Sequence, residues 1–353
     1  MTMRTLPPIL VVLVLGCATD SADPSTLPTR PFKMGFSALP PRLDQNVLVQ
    51  SIELWTKRAD LAIVHEELPW TDLLAGVAPD SILAHAKDGL IAYYRGKGLG
   101  LVFVADADDG LSRAEEAPRL RALGRSIAEP AVQRKYRDYI TAFVRRYHPE
   151  YVGLAAETNL IRAAAPAALY QGVVQVANDA AADLATVSPR PRLFVSVQVE
   201  VGWGKLVNTP FQGIDRDFTD FPFVEMIGFS SYPYFAWPDP AEIPDDYYSR
   251  LMIGHSLPVM VVEGGWASTS YPGFVTSPAK QAGYLRRQAA LLTAIGAVGW
   301  LQLTPTDIDV SAFPAETRTQ IAPFATLGVY DANLAAKPAL AVWDSLFKLR
   351  TRQ

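Results

Sequence analysis

The chain has few of the residues by which many classes of protein are recognised. Its 353 residues include one cysteine and four histidines, and 36 acidic against 32 basic residues leave a formal net charge of −4. A single cysteine excludes a disulfide framework and a cysteine-based zinc site. The charges form no block of one sign, so the sequence lacks the basic surface that binds phosphate backbones. We therefore expect no nucleic-acid partner.

Long apolar runs are also scarce, and the most marked of them lies at the N-terminus. Residues 9–15 are apolar, follow a basic residue at Arg4 and precede the small residue Gly16. This run is too short to span a bilayer as a permanent helix, which favours a cleaved secretory signal. The sequence thus predicts an exported protein.

The residues that follow this run resemble the lipobox of bacterial lipoproteins. Residues 14–17 read VLGC, and the resemblance implies that residues 1–17 are a lipoprotein signal peptide with Cys17 as the lipidated residue. A plain secretory signal and a retained anchor are the alternatives. Residues 18–31 are rich in Ser, Thr, Asp and Pro, which predicts a flexible tether. We expect a protein held in the bacterial cell envelope by its lipid, at the outer membrane or cell surface.

From residue 33 onward, short apolar runs alternate with longer amphipathic segments, as in repeated βα units. Eight runs predict strands, at 33–37, 60–65, 99–105, 151–157, 193–199, 224–230, 258–263 and 298–303. Helical patterns lie near 45–58, 80–95, 131–147, 167–187, 241–254, 278–296 and 337–349, and 203–222 is predicted to be a long loop with a helical turn. Residues 32–353 are therefore predicted to form one (β/α)₈ TIM barrel. A doubly wound open sheet is the alternative, although no glycine-rich phosphate loop follows the first strand.

Two glutamates stand where a barrel of this kind carries its chemistry, at the carboxyl ends of strands. Glu157 ends the fourth predicted strand and Glu263 ends the seventh. Either one alone could cap a helix or form an ion pair at the barrel edge, because a carboxylate there needs solvent or a partner. As a pair facing each other at about 5 Å, they would suit the acid/base and the nucleophile of a retaining glycosidase.

Three motifs extend this interpretation: VVEGGW at 261–266, MIGFSSYPYF at 226–235 and LGVYDANLAAKPAL at 327–340. Through them the sequence resembles glycoside hydrolase clan A, the TIM-barrel retaining glycosidases, and most closely the endo-β-1,4-galactanase group and its relatives. The resemblance implies that Glu263 is the nucleophile, Glu157 the acid/base and Tyr232 a neighbour of Glu263. The sequence departs from the clan at Ala156, where an Asn commonly precedes the acid/base and holds the sugar 2-hydroxyl.

Other polar and aromatic residues near predicted strand ends could contact a sugar. His65 and Asp106 are candidate hydrogen-bonding groups, and Asn159 or Gln198 could supply the missing amide. Tryptophan rings could stack on pyranose faces, and those near strand ends are Trp70, Trp203, Trp237, Trp266 and Trp300. Of these we select Trp237, Trp266 and Trp300, together with Tyr232, as substrate-binding candidates. No second histidine stands at a metal-ligand spacing from His65, so we expect neither a metal nor another cofactor.

These observations lead to a functional hypothesis and a rival. The hypothesis is a monomeric, lipid-anchored retaining glycoside hydrolase, an O-glycosyl hydrolase acting on a β-linked polysaccharide or oligosaccharide. The rival is a catalytically degenerate carbohydrate-binding lipoprotein on the same barrel, which Ala156 supports and the presence of both glutamates opposes. An unrelated hydrolase or isomerase on the same fold is a third interpretation, because a fold alone does not fix function.

Overall fold

A computed structural model describes residues 29–207 and 209–351 of the chain. Eight parallel strands close into a barrel in which each strand pairs with its neighbours in the sequence, and β8 pairs with β1. The strands are β1 (Lys33–Ser37), β2 (Leu61–Glu67), β3 (Gly100–Asp106), β4 (Tyr151–Gly153), β5 (Arg192–Gln198), β6 (Met226–Ser231), β7 (Val259–Gly264) and β8 (Gly299–Gln302). The predicted single-domain (β/α)₈ TIM barrel is confirmed, and the closed barrel excludes the open sheet. Strand β4 is shorter than predicted, because the chain bends after Gly153.

Helices surround the barrel and connect most consecutive strands. They are Gln45–Trp55, Trp70–Leu74, Pro79–Ala86, Asp88–Gly96, Pro118–Ala122, Pro130–Tyr147, Thr158–Ala164, Ala167–Leu184, Val199–Gly202, Asp215–Asp220, Pro278–Ile295, Ala315–Ile321 and Pro338–Phe347. Proline begins several of them, where its missing N–H costs nothing. Asp44 and Ser277 cap two helices by accepting backbone N–H bonds.

The connection from β6 to β7 differs from the prediction. Instead of a helix near 241–254, this segment has two short 3₁₀ turns at Pro240–Glu242 and Ser249–Met252. Pro244 lies between the turns and cannot donate a helical hydrogen bond, which explains why the helix is absent. The loop with a helical turn predicted at 203–222 is present, its turn being the helix Asp215–Asp220.

The ends of the described chain pack together beneath the barrel. Thr29–Arg30 pairs in parallel with Arg350–Thr351, and the buried Arg30 donates to Asp60 at 2.7 Å. The last three residues of the predicted tether therefore belong to the domain. The predicted signal peptide, Cys17 and the rest of the tether lie outside the described residues. No helix within the described part of the chain is long and apolar enough to cross a bilayer.

The core has two layers. One fills the barrel interior, where Phe194 finds room because Gly153 and Gly228 face it from the adjacent strands β4 and β6. The other lies between the outer faces of the strands and the helices. Because both faces of the strands are buried, nearly every strand residue is apolar, and polar side chains gather where the strands end.

Candidate active site

A cavity of about 600 Å³ opens at the carboxyl ends of the strands. Six of the residues selected from the sequence line it: His65, Asp106, Glu157, Gln198, Tyr232 and Glu263. They come from the ends of β2, β3, β5 and β7 and from the segments that follow β4 and β6, so the barrel brings together side chains that are far apart in the sequence. The volume falls in the range of small-molecule sites.

The backbone at Glu157 aims its carboxylate into this cavity. Glu157 has φ 49° and ψ 43°, a left-handed conformation that costs a residue other than glycine about 1–2 kcal/mol. Its N–H donates to Ser196 Oγ at 2.9 Å, and its carbonyl begins the helix Thr158–Ala164 by accepting from Leu160 and Ile161. These hydrogen bonds hold the strained residue in place and fix where its side chain points.

A β-bulge turns Glu263 toward the same cavity. The pairing of β7 with β6 shifts by one residue between Val261 and Glu263, so that the consecutive residues Val262 and Glu263 both face the cavity. Gly264 follows with φ 157°, and a side chain there would lie 2.4 Å from the carbonyl oxygen of Ser231. The glycine in the VVEGGW motif is thus required for the close approach of β7 to β6.

Glu263 is held from two sides. Tyr232 donates its hydroxyl proton to Glu263 Oε1 at 2.5 Å. On the other side, His65 Nδ1 lies 3.4 Å from Glu263 Oε2, and His65 Nε2 lies 3.0 Å from Asp106 Oδ2. The imidazole therefore bridges the carboxylates at the ends of β3 and β7.

Arg113, which the sequence analysis did not select, connects the remaining carboxylates. It lies on the hairpin formed by Asp108–Asp109 and Ser112–Glu116, directly after β3. Its guanidinium donates to Asp106 at 2.7 Å, to Asp108 at 3.0 Å and to Glu157 Oε2 at 2.9 Å. Ser230 donates to the other oxygen of Glu157 at 2.5 Å. A continuous chain of charges thus runs from Glu157 through Arg113, Asp106 and His65 to Glu263.

The pKa values reflect this chain. Burial raises the pKa of Glu263, and the charge of Glu157 raises it further against the opposing charges of His65 and Arg113. Burial alone would lower the pKa of His65, but Asp106 and Glu263 together raise it to about 9. Burial would raise the pKa of Asp106, yet Arg113 and His65 hold it below its ordinary value. At neutral pH the site therefore holds two cations among its carboxylates.

Four of the selected residues lie elsewhere, and their assignments to the sugar site are corrected here. Trp300 is buried outside the barrel wall against Phe32 and Trp343. Trp266 is buried next to Tyr234 and Tyr284 and donates to Thr276.

Trp237 and Asn159 also have structural partners. Trp237 packs edge-on against Trp203 and Tyr247, away from the cavity lining. Asn159 accepts from the N–H of Gln198 and donates to its carbonyl, so both ends of its amide are engaged. Asn159 therefore supports the end of β5 and does not replace the amide missing at Ala156.

Four aromatic side chains of the described residues line the cavity, and of these only Tyr232 was selected from the sequence. They are Tyr232, Phe235, Phe313 and Phe324. Trp70 stacks on the buried Tyr136 and Trp203 on Tyr247, so these rings are core as well. Residues just beyond a strand can turn inward or outward, and sequence position alone does not distinguish the two directions.

The carboxylates are not arranged to bind a metal. Within residues 29–207 and 209–351, no group of three or more His, Cys, Asp or Glu side chains has a geometry that could hold a metal ion. Arg113 and His65 occupy the positions between the carboxylates where a cation would have to lie.

Comparisons with known proteins relate the fold to solved structures. No protein-family model matches the chain, and no curated protein matches it by sequence. An exo-β-1,4-mannosidase from the Opitutaceae bacterium strain TAV5 matches at 15% identity and a TM-score of 0.64, over 93% of this chain and 61% of that one. A GH5_18 protein of Bifidobacterium longum subsp. longum, solved with Manβ1-4GlcNAc, matches at 12% identity and a TM-score of 0.64, over 91% and 80%.

A third structure extends the comparison to a larger protein. The β-glucuronidase of Ruminococcus gnavus matches at 13% identity and a TM-score of 0.56, over 91% of this chain and 50% of that one. This chain thus spans 61% of the mannosidase and half of the glucuronidase. At these identities the likeness establishes the fold, a parallel eight-stranded barrel of the kind found in glycoside hydrolases.

Proposed function

We propose that this protein is a retaining glycoside hydrolase that acts on a β-linked substrate, with Glu157 as acid/base and Glu263 as nucleophile. The observation that carries the proposal is the pair of glutamates in one cavity, at the ends of β4 and β7, with Tyr232 hydrogen-bonded to Glu263. The charge of Glu157 also acts on Glu263. Both carboxylates line the same cavity, which supports a joint action on one glycosidic bond.

The chemistry follows from two displacements. Glu157 gives its proton to the glycosidic oxygen while Glu263 attacks the anomeric carbon, so the leaving alcohol departs and a glycosyl ester forms on Glu263. Glu157, now ionised, takes a proton from a water molecule that attacks the anomeric carbon, so the bond from that carbon to Glu263 breaks and the sugar is released. Tyr232 holds Glu263 in line for attack, and His65 balances its charge.

The names of the matched structures and the sequence motifs indicate which sugars to test first. The solved neighbours are named for β-mannoside and β-glucuronide substrates, and the motifs at 226–235 and 261–266 resemble those of endo-β-1,4-galactanases. A first panel therefore contains β-galactosides, β-mannosides and β-glucuronides, both as natural glycans and as activated aryl glycosides.

The decisive test replaces the nucleophile. Glu263→Ala should abolish turnover of an aryl glycoside, and azide should partly restore it by attacking the exposed face of the anomeric carbon. The glycosyl azide would have the opposite anomeric configuration, because one displacement replaces two. Glu53, an exposed glutamate on the helix Gln45–Trp55, provides the control, since Glu53→Ala should keep full activity. Rescue with retained configuration, or full activity in Glu263→Ala, would contradict the assignment.

A second candidate, a carbohydrate-binding protein without turnover, is favoured by one specific contact. Arg113 donates to Glu157 Oε2 at 2.9 Å, so this oxygen of the proposed acid/base is engaged by the protein and is not free to meet a glycosidic oxygen. Catalysis requires that a bound substrate weaken this contact. Glycan binding without hydrolysis of any member of the panel, in the parent protein and in Glu263→Ala alike, would select this second candidate.

We also propose that the protein is monomeric and lipid-anchored in the bacterial cell envelope through Cys17. The support is the VLGC string at residues 14–17, which lies outside the described residues. Cys17→Ser should move the protein from the membrane fraction to the soluble fraction of cells that express it. Labelling with a radioactive fatty acid should be lost in the same variant, and unchanged partitioning would reject the anchor.

A further inference from the structure

The lining of the active-site cavity changes character from its base to its mouth. The base is formed by polar side chains at the strand ends, described above. The loops beyond the strands contribute apolar side chains, which we call the apolar rim: Leu39, Leu43, Leu111, Leu206, Phe313 and Phe324. Three of the rim's leucines come from loops that follow β1 and β5, and the fourth comes from the hairpin that carries Arg113.

The leucines of the rim are unusually exposed. Leu39, Leu43, Leu111 and Leu206 are 41%, 86%, 50% and 38% exposed, and they are four of the ten exposed large hydrophobic residues within the described ranges. Single apolar residues on a surface need no explanation, but a cluster around one opening marks a binding site. These side chains contribute nothing to the packed core, so their gathering at the cavity needs another reason.

A polysaccharide is a poor match for this rim. A sugar presents hydroxyl groups around its edge, and these lose hydrogen bonds to water unless the site replaces them. Leucine and phenylalanine side chains offer no such replacement, and within residues 29–207 and 209–351 no tryptophan lines the cavity. The polar base, in contrast, presents carboxylates, an imidazole and a phenol to the cavity.

Resting on the proposed glycosidase function, we propose that the substrate is a β-glycoside with an apolar aglycone, whose sugar binds at the polar base and whose aglycone packs against the apolar rim. Glu157 would protonate the oxygen that joins the two parts. One water molecule is consumed, and the products are the free sugar and the aglycone alcohol. The cavity of about 600 Å³ accommodates a ligand of this size.

Binding of short alkyl glycosides tests this proposal without relying on turnover. Titration calorimetry would compare methyl with n-hexyl β-glycosides in the galactose, mannose and glucuronic acid series. Burial of each added methylene strengthens binding about fourfold. The hexyl group adds about five methylenes to the methyl group, and burial of about half of them should make the hexyl member of the accepted series bind about 30-fold more tightly. n-Hexanol alone should bind far more weakly, because it lacks the sugar that the base recognises.

Variants of the rim assign the effect to these residues. The triple variant Leu39→Ser, Leu43→Ser, Leu111→Ser should reduce the hexyl preference at least about tenfold and leave methyl glycoside binding unchanged. The matched control is the double variant Ile253→Ser, Val275→Ser, whose side chains are 74% and 78% exposed and lie off the cavity. Circular dichroism and the melting temperature of each variant would confirm that it is folded.

The outcomes separate this inference from the proposed function. A hexyl preference that the rim variant loses supports the inference, and if no glycoside is hydrolysed, the glycosidase proposal fails while the ligand class stands. Equal binding of methyl and hexyl glycosides, or a preference that survives in the rim variant, overturns the inference even where hydrolysis is observed. Absence of binding by every hexyl glycoside, or equally tight binding of hexanol, also overturns it.

Discussion

Replacement of Arg113 by methionine should destabilise the protein strongly at neutral pH. The Arg113 side chain is 4% exposed and pairs with Asp106, Asp108 and Glu157, each within 3.0 Å. Methionine has a similar length but no charge, so the variant leaves Asp108 and Glu157 without a cationic partner and Asp106 with His65 alone. Breaking a buried ion pair in this way costs about 3–5 kcal/mol. We expect a loss of this size in the free energy of unfolding at pH 7.5.

The dependence of this loss on pH follows from the direction of the pKa shifts. In the parent protein, Arg113 and His65 hold the pKa of Asp106 below its value in the unfolded chain. That ion pair therefore stabilises the fold above about pH 4, and its contribution falls as the pH drops toward the folded pKa. Burial raises the pKa of Asp108 against the opposing charge of Arg113, so in Arg113→Met this carboxyl group binds a proton still more readily when folded, and acidification favours the folded variant more than the folded parent. The difference between the two proteins should shrink between pH 7.5 and pH 5.

Urea denaturation followed by tryptophan fluorescence would measure both quantities. Arg216→Met is the control, because Arg216 is 65% exposed and its pair with Asp220 is a surface ion pair worth about 0–1 kcal/mol. A loss in Arg113→Met no larger than in this control, or a loss that is the same at pH 5 and pH 7.5, would refute the argument that Arg113 neutralises a buried acidic cluster.

Three further predictions concern single side chains. His65→Gln should lower the free energy of unfolding by up to about 3 kcal/mol near pH 6.5 and make it less dependent on pH. In the parent, the free energy of unfolding should fall between pH 6.5 and about 9, because His65 deprotonates over that range. Urea denaturation at several pH values across this range would measure both effects. Tyr232→Phe should reduce kcat at least about tenfold. It should also move the acid limb of the kcat/KM profile to higher pH, because the hydrogen bond that is lost lowers the pKa of Glu263 in the parent. Measurement of kcat and kcat/KM as a function of pH would test both effects. Trp300→Phe should lower the free energy of unfolding by about 1–3 kcal/mol and leave KM unchanged, because the Trp300 ring packs outside the barrel wall. A raised KM with an unchanged free energy of unfolding would show instead that Trp300 contacts the substrate.

The predictions from sequence succeeded where a local pattern is sufficient. Continuous apolar runs bounded by turns identified all eight strands, and alternation with amphipathic helices identified the barrel. A parallel barrel places the carboxyl ends of all its strands on one side. A polar residue at the carboxyl end of a strand therefore lies near the cavity because of the topology alone. His65, Asp106, Glu157, Tyr232 and Glu263 reached the cavity for this reason.

The same reasoning failed where direction matters more than position. Trp300 and Leu301 are consecutive on β8, yet Leu301 fills the barrel interior and Trp300 packs on its outer face. Both faces of these strands are apolar, so the sequence shows the alternation but not which residue of a pair faces inward. Trp266 follows the two glycines after Glu263, and the backbone there directs its ring toward the helix Pro278–Ile295.

What the sequence determined by itself is the arrangement of strands, the barrel and the end of the barrel at which the two glutamates lie. What only the tertiary structure decided is how those glutamates are held and what surrounds them. Arg113 pairs with Glu157 across 44 residues, through a hairpin whose position no local pattern specifies. The apolar rim likewise joins loops that are distant in the chain. Local backbone preferences and hydrophobic periodicity act over a few residues, whereas ion pairs and cavity linings depend on which loops the closed barrel brings together.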